Sequence, residues 1–297
     1  MTQIATINTG NYAAMAEAMG MSVDSGKQKS QASTLARLRI NHSAIMGEDT
    51  INGKKVKMEV VAGGTYKLEI PDGPTYYAPT ATIRPYLQRF MYKRFIKGSD
   101  TTPNRYVKTL MANDLNSDLK DNDGGFNCGK PAGWIEDFKA LPEKTQDLIR
   151  QIKRVRVMFG TVEMHDVTDA QGNPVDLEPQ AFIWEIENRD AFKTAGAIFT
   201  KLSKMRRLPV QHNMKAATEE RTLPNGSVFY LPTLALDLQE TLDVTDPEQE
   251  TVANFLAWVE NYNEYIKGAW NDNAYKNDDT DTDTVEAFVD IDAEDFV

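Results

Sequence analysis

The stretch VRVMFGTVEMHDVTDAQGNPVDLEPQAFIWEIENRDAFKTAGAIFTKLSKM, residues 155–205, indicates how this chain folds. Residues 155–164 alternate between apolar and polar types, which predicts a strand, and residues 181–186 predict its partner. The turn-rich residues 166–178 are predicted to form the loop that connects these two strands. Asn188 is a suitable helix N-cap. The apolar residues that follow it at helical spacing are Phe192, Ala195, Phe199 and Leu202.

Strand-like patterns continue on both sides of this stretch. Further strands are predicted at residues 55–61, 65–70, 83–96, 106–111 and 228–238, and Gly63-Gly64 predicts a hairpin between the first two. Helices are predicted at residues 134–151, broken or restarted by Pro142, and at residues 247–270. The pattern predicts a mainly β chain with inserted and appended helices (α+β). A five-stranded Greek-key barrel of the OB type is the economical core, and an α+β sandwich is the alternative.

Four segments are expected along the chain. Residues 1–33 form an N-terminal arm, residues 34–245 an OB-like core with insertions, residues 246–276 a C-terminal helix, and residues 277–297 a tail. The tail holds nine carboxylates and no Lys or Arg; the whole chain has a formal charge of −11, which leaves about −2 for the rest. Such a segment is expected to be disordered. Its predicted partner-binding residues are Asp290, Asp292, Glu294, Asp295, Phe296 and Val297.

Composition limits the class of protein. Cys128 is the single cysteine, so no intrachain disulfide can form, which fits a reducing compartment. No apolar run approaches the roughly eighteen residues of a membrane-spanning helix, and the first twenty residues lack the features of a signal peptide. We therefore expect a cytoplasmic protein that does not enter membranes.

A basic and aromatic segment suggests a nucleic-acid partner. Residues 81–110 contain seven bases and one acid, interleaved with aromatic residues. Cations that hold phosphate and rings that stack on bases are the two ingredients of sequence-tolerant single-strand binding, although about half of the rings are expected to pack inside. The predicted cationic contacts are Arg84, Arg89, Lys93, Arg94, Arg105, Lys108, Arg154 and Arg156, and the predicted stacking residues are Tyr86, Tyr92, Phe95 and Tyr106.

A second basic cluster closes the predicted helix after Asn188. Cations at a helix C-terminus interact favourably with the helix dipole, which accounts for part of this cluster. Its density exceeds what the dipole requires, and we also interpret it as a nucleic-acid contact. The residues predicted to make this contact are Lys204, Arg206 and Arg207.

Catalytic and metal-binding patterns are weak. Glu163, His165 and Asp166 are close in sequence, but such a trio at a strand end is usually solvated surface. Residues 121–125 (DNDGG) resemble part of a calcium loop without its downstream Glu. Cys128 has no neighbouring base, and no phosphate-binding or hydrolase motif is present. We expect a protein that is not an enzyme and that uses no metal or cofactor.

The order of these elements resembles the replicative single-stranded DNA-binding, or helix-destabilising, proteins of tailed bacteriophages. The resemblance rests on an arm with Lys27 and Lys29, the basic and aromatic core, the strands and helix of residues 155–205, and the ending DIDAEDFV. It implies that residues 34–245 bind DNA and that the protein coats single-stranded DNA cooperatively during phage replication, recombination and repair in the infected bacterium. The arm at residues 1–33 would contact the next protomer (self-association). The tail would compete with DNA and recruit DNA polymerase, helicase or recombination proteins.

One departure from that family concerns its best-known branch, which holds zinc through Cys and His. Here residues 124–133 offer only Cys128. The resemblance therefore implies a zinc-free loop, which we expect to be stabilised by packing of Phe126 and Trp134.

Two other classes of function remain open from the sequence. A virion structural or assembly protein with an acidic solubilising tail would show no salt-dependent polynucleotide binding and would present a large apolar interface. A nuclease would need carboxylates clustered around a divalent metal, and the sequence does not supply such a cluster.

Overall fold

A computed structural model describes residues 35–51, 54–99 and 102–278. The predicted arm and almost all of the predicted tail lie outside the described residues. Within them are eleven strands and three α-helices. The strands are β1 (Ala36–Ile40), β2 (Ile45–Ile51), β3 (Lys54–Val61), β4 (Tyr66–Glu69), β5 (Thr75–Ala78), β6 (Thr80–Ile96), β7 (Arg105–Lys108), β8 (Ile152–His165), β9 (Gln180–Ile186), β10 (Met214–Thr222) and β11 (Val228–Leu236), and the helices are α1 (Glu143–Gln151), α2 (Arg189–Lys204) and α3 (Asp246–Asp278).

Nine strands form one sheet, in the order β11-β10-β6-β8-β9-β1-β4-β5, with β7 pairing with the end of β6. The pairing is antiparallel except between β1 and β9. The prediction of a mainly β chain with added helices is confirmed. The hydrogen-bonded path does not close among the described strands, but the sheet curves, since the Tyr66 hydroxyl of β4 donates to Ala217 O of β10 at 3.0 Å.

The predicted hairpin around Gly63-Gly64 is wrong. Strand β3 pairs with β2 in a separate two-stranded ribbon, whereas β4 pairs with β1 and β5. The two glycines form a turn beneath the ring of Tyr230, where a Cβ at Gly64 would lie 2.6 Å from a ring carbon. A glycine pair that marks a hairpin in sequence here provides close approach to a distant side chain.

The helices agree in part with the sequence. Asn188 caps α2 as predicted, because its side chain accepts hydrogen bonds from the backbone N–H groups of Asp190 and Ala191. Helix α1 begins only after Pro142, so the predicted helix at residues 134–151 was too long. Helix α3 extends eight residues beyond the helical pattern predicted at residues 247–270 and two beyond the C-terminal helix segment predicted at residues 246–276. Strand β10 was not predicted, since its polar sequence, MKAATEERT, gives a weak strand signal.

The long strands β6 and β8 separate two packed faces, because successive side chains on a strand point to opposite sides. On one side, the α3 face, Met91, Val157 and Phe159 pack beneath Phe255 and Val259 of α3. On the other side, the α2 face, the main core lies under α2, and it includes Phe182, Trp184, Phe199 and Leu202. A third small core on that same side holds Tyr92, Val107, Leu119 and Cys128 beneath the loop after β7.

That loop is organised by one carboxylate. Asp121 is 1% exposed and accepts three backbone hydrogen bonds, from Asp123 N (3.0 Å), Gly125 N (2.9 Å) and Cys128 N (3.0 Å). Burial raises the pKa of Asp121, although these three bonds oppose the rise. The fragment that resembled a calcium loop is therefore a closed turn whose carboxylate is bonded to its own backbone.

The same loop is fastened to α3. Trp270 Nε1 donates to Gly125 O at 2.9 Å, Asn273 Nδ2 donates to Asn122 O at 2.9 Å, and the ring of Phe126 lies edge-on to Trp270 at 5.7 Å. The approach requires Gly124, which has a φ of +88° and whose Cβ would lie 2.7 Å from Ala274 N. Trp134 takes no part, since it is 89% exposed, so the expected packing of Trp134 in this loop was wrong.

Candidate nucleic-acid interface

Two predicted stacking residues lie together at the ends of β6 and β7. The register places Phe95 opposite Tyr106 on the α3 face, with ring centroids 5.1 Å apart and ring planes at 53°. Both side chains are about half exposed, at 45% and 53%. We call this pair the aromatic platform. The platform exposes more ring surface to solvent than the other two predicted stacking residues, since Tyr86 is half-buried and Tyr92 is buried.

A network of charges supports the platform. The Lys93 ammonium lies 4.7 Å from the centroid of the Tyr106 ring and donates to Glu185 at 2.9 Å and also to Glu187. Lys108 donates to the other oxygen of Glu185 at 3.1 Å. Lys93 and Lys108 were predicted to contact phosphate, but in this structure each is paired with carboxylate. They position the platform, and their charge is largely compensated.

Burial alone would raise the pKa of Glu185, but Lys108 and Lys93 outweigh it and lower the pKa to about 2. Ionised Glu185 therefore stabilises the fold fully above its ordinary pKa of 4.5, and this contribution is lost as the pH falls towards 2. We expect Glu185→Gln to be less stable than the wild type at neutral pH, with a difference that shrinks below pH 4.5. Urea midpoints measured across this range test the prediction, and a difference independent of pH would contradict it.

Exposed cations border the platform. Lys153 pairs with Lys93 in the sheet register and therefore lies on the same face as Phe95, and Lys97 follows Phe95 by two residues. Among the described residues, neither ammonium has an ion-pair partner. Arg105 forms a two-pronged ion pair with Asp123, and both side chains are partly exposed. Exposed pairs of this kind contribute little to stability, so a phosphate can replace the carboxylate at small cost.

Two predicted residues at the start of β6 contact other parts of the protein. The Arg84 guanidinium donates to Val210 O at 2.8 Å, to Glu248 at 2.9 Å and to Asp243 O at 2.8 Å. Tyr86 packs edge-on against Phe255 of α3, with ring centroids 5.7 Å apart. Arg84 therefore fixes the connection between β11 and α3, and Tyr86 is part of the second core. Neither lies beside the platform.

Arg156 does not fit its predicted role as a phosphate contact, because it is 8% exposed. Its guanidinium lies 4.8 Å from the ring centroid of Phe90 and 4.5 Å from that of Phe192, and it donates to Gln88. A Cβ at Gly196 would lie 2.6 Å from Nη2, so the glycine of α2 makes room for this cation. Burial lowers the pKa of Arg156. The residue is a buried cation between two rings.

Tyr92 is also buried, at 5% exposure, so its predicted stacking on bases does not fit. Arg94 is half-buried, and its Nε has no hydrogen-bond partner among the residues that the structure describes. Arg89 is half-buried and donates to the neighbouring Gln88 O, and burial lowers its pKa. Arg154, which pairs with Tyr92 in the register, is exposed on the α2 face. Of these four residues, Arg154 is the one placed to meet a ligand.

Among the described residues, the basic cluster at the end of α2 makes no hydrogen bond or ion pair with the platform. Lys204 and Arg206 are exposed, whereas Arg207 lies beside the fully buried His212, with 3.5 Å between Arg207 Nη1 and His212 Nε2. The His212 Nδ1 faces the carbonyls of Asp237 and Glu240. The six predicted tail residues, Asp290, Asp292, Glu294, Asp295, Phe296 and Val297, lie outside the described residues.

Sequence reasoning missed the carboxylates that face these bases. Glu185 lies on β9 and Glu187 lies directly after its end, both more than ninety residues from Lys93, and nothing near Lys93 in the sequence indicates them. It also missed Trp134 as an exposed ring, because an aromatic residue before a helical pattern is usually read as core.

No helix in the described part of the chain is long and apolar enough to cross a membrane. Nor do the described residues contain a group of three or more His, Cys, Asp or Glu side chains arranged to hold a metal ion. Comparison with models of known protein families, with curated proteins and with solved structures gives no match.

Proposed function

We propose that this chain is a non-enzymatic single-stranded DNA-binding protein that coats and protects DNA during phage replication, recombination and repair. The observation that carries the proposal is the aromatic platform, which presents two half-exposed rings beside Lys97 and Lys153, whose ammonium groups form no ion pair within the described part of the chain. Rings and cations side by side satisfy the two requirements of sequence-tolerant binding, since a ring stacks on any base and a cation holds any phosphate.

The OB-type core expected from the sequence belongs to this proposal. Curvature supports it, because contacts from β4 and its preceding turn to β10 bring distant parts of the sheet together: Tyr66 bonds to Ala217 O and Thr218 bonds to Gly64 O. The arm at residues 1–33 is proposed to contact the next protomer along DNA.

The acidic tail is proposed to compete with DNA for the platform. Asn273 of α3 bonds to Asn122 O, and Asn122 Nδ2 in turn donates to Tyr106 O at 3.3 Å. Asp278 lies five residues further along the helix, which is about 8 Å at the ordinary helical rise. The tail therefore begins a few residues after the contact that joins α3, through Asn122, to Tyr106. In the same proposal its end recruits polymerase, helicase or recombination proteins.

Removing residues 279–297 keeps the whole of α3 and should tighten binding to single-stranded DNA, most strongly at low salt. The reason is that the deletion removes eight carboxylates that compete with phosphate. Anisotropy of a labelled oligo-dT, measured with the full-length and shortened chains at low and near-physiological salt, tests this. The affinity of both chains should fall steeply with salt, because phosphate binding releases counterions.

Two outcomes would count against the proposal in different ways. If neither chain binds oligo-dT at low salt, the proposed function is wrong. If both bind equally at low salt, binding stands and competition by the tail is lost. A chain lacking only Phe296 and Val297 separates charge from the apolar end, since its DNA affinity should match that of the wild type.

A second candidate function is a virion structural or assembly protein, and one observation favours it. The β2–β3 ribbon exposes Met46, Val56 and Met58 at 55%, 40% and 46%. Apolar residues on a free ribbon are suited to contact another protein. This candidate predicts concentration-dependent assembly without DNA, which sedimentation would detect, and no response to oligo-dT.

A further inference from the structure

We infer that Trp134 is a separate stacking site for a base of single-stranded DNA, on the opposite side of the sheet from the aromatic platform. The inference rests on the proposed function and adds to it a residue and a second line of contact.

Trp134 is the most exposed large apolar side chain among the described residues, at 89%. The other three tryptophans are engaged: Trp184 is buried, Trp258 stacks on Tyr262 at 5.8 Å, and Trp270 bonds to the loop at Gly125. A ring of this size left in water forgoes a large hydrophobic stabilisation. Its position therefore calls for a ligand that covers it.

The loop that carries Trp134 is held in place on both sides. Before it, the Lys130 ammonium donates to Pro131 O at 3.2 Å and to Gly133 O at 3.1 Å. After it, Asp137 accepts from Lys139 N at 2.8 Å. Because the turn is fixed by its own hydrogen bonds, the ring is presented with little ordering left to do on binding.

Cations lie at the base of this loop. The Lys130 ammonium is 5.9 Å from the ring centroid of Tyr92, which pairs with exposed Arg154 in the sheet register. The Arg94 guanidinium lies against Gly129. Glu136 and Asp137 follow Trp134, so a phosphate would approach from the Lys130 side. An exposed ring on a loop whose base carries cations fits a nucleotide, with the base on the indole and the phosphate towards Lys130.

The test uses full-length protein and two readouts: the anisotropy of a labelled oligo-dT and the intrinsic tryptophan emission. In the wild type, DNA should quench emission, and Trp134 should account for most of the quenching. Trp134→Ala should bind about tenfold more weakly and lose the quenching. Trp134→Phe keeps a stacking ring, so it should bind nearly as well as the wild type while also losing the quenching.

Because the side chain is exposed, both variants should have the same melting temperature as the wild-type protein. If Trp134→Ala binds with wild-type affinity, or if the quenching survives in both variants, the inference is overturned while the proposed function stands. A change in self-association with no change in DNA affinity would overturn it too, in favour of a protein partner. If the anisotropy of the labelled oligo-dT does not change when wild-type protein is added, the proposed function and this inference fail together.

Discussion

Replacing Phe95 and Tyr106 together by alanine should weaken binding to single-stranded DNA by about 100-fold, since each stacked base contributes roughly 1–3 kcal/mol. The two rings are half exposed and in contact with each other, so a strand crossing the end of β6 and β7 would lose both stacking surfaces at once. Each single substitution should cost less than half of the total in free energy, because the remaining ring still offers a surface. Oligo-dT anisotropy at one fixed salt concentration measures all three variants.

Arg156→Met provides a matched control for this experiment. Arg156 belongs to the basic pattern that predicted the interface, but it is buried between Phe90 and Phe192. Arg156 has no carboxylate partner among the described residues, so its replacement by methionine, an apolar side chain of similar length, leaves no buried charge unpaired. The variant should therefore bind DNA like the wild type. Wild-type affinity in the Phe95 and Tyr106 double variant, or a large loss in Arg156→Met, would place the DNA elsewhere.

Local sequence patterns predicted strands β8 and β9 and the cap of α2 correctly. Alternation in β8 and β9 and the side chain of Asn188 act over a few residues, so a single sequence suffices to predict them. The partner of β3 was predicted wrongly, because strand pairing depends on which edges meet, and a turn signal such as Gly63-Gly64 does not decide it.

The candidate site was less predictable for a related reason. Alternation shows which side chains share a face of a strand, but it does not show what covers that face. Arg84 contacts Glu248, which is 164 residues away, and Lys93 contacts Glu185, which is 92 residues away. Both cations look like surface residues in sequence. Phe95 and Tyr106, which were predicted to stack on bases, are half exposed. The same pattern also predicted stacking by Tyr86, which packs against Phe255, and by Tyr92, which is buried.

The loop that fastens α3 leads to the second large expected effect. Asp121→Ala should lower the free energy of unfolding by about 3 kcal/mol and the melting temperature by on the order of 10 °C, because three backbone N–H groups, one of them buried and two partly buried, lose their acceptor. Asp121→Asn, which retains one oxygen, should cost less. Burial raises the pKa of Asp121, which means that burial disfavours the charged form of this carboxyl. The loss of stability should therefore come from the three hydrogen bonds rather than from the charge.

Asp169 offers a matched control for this prediction. Its carboxylate also accepts three hydrogen bonds within its own turn, from Gln171 N, Asn173 N and Asn173 Nδ2, but it lies at the surface. Water can replace that carboxylate, so Asp169→Ala should have a much smaller effect. Equal effects of the two substitutions would show that the burial of the Asp121 turn does not matter.

The consequence should extend from the loop to α3. Gly125 O accepts a hydrogen bond from Trp270, and Asn122 O accepts one from Asn273. Both carbonyls belong to the turn that Asp121 stabilises. Asp121→Ala should therefore release the last turns of α3, which hydrogen exchange would detect as faster exchange near residues 266–278 than near residues 250–260. Because the tail begins at the end of this helix, the variant should also weaken the tail's competition with DNA. At low salt, deletion of residues 279–297 should then tighten DNA binding less in Asp121→Ala than in the wild type.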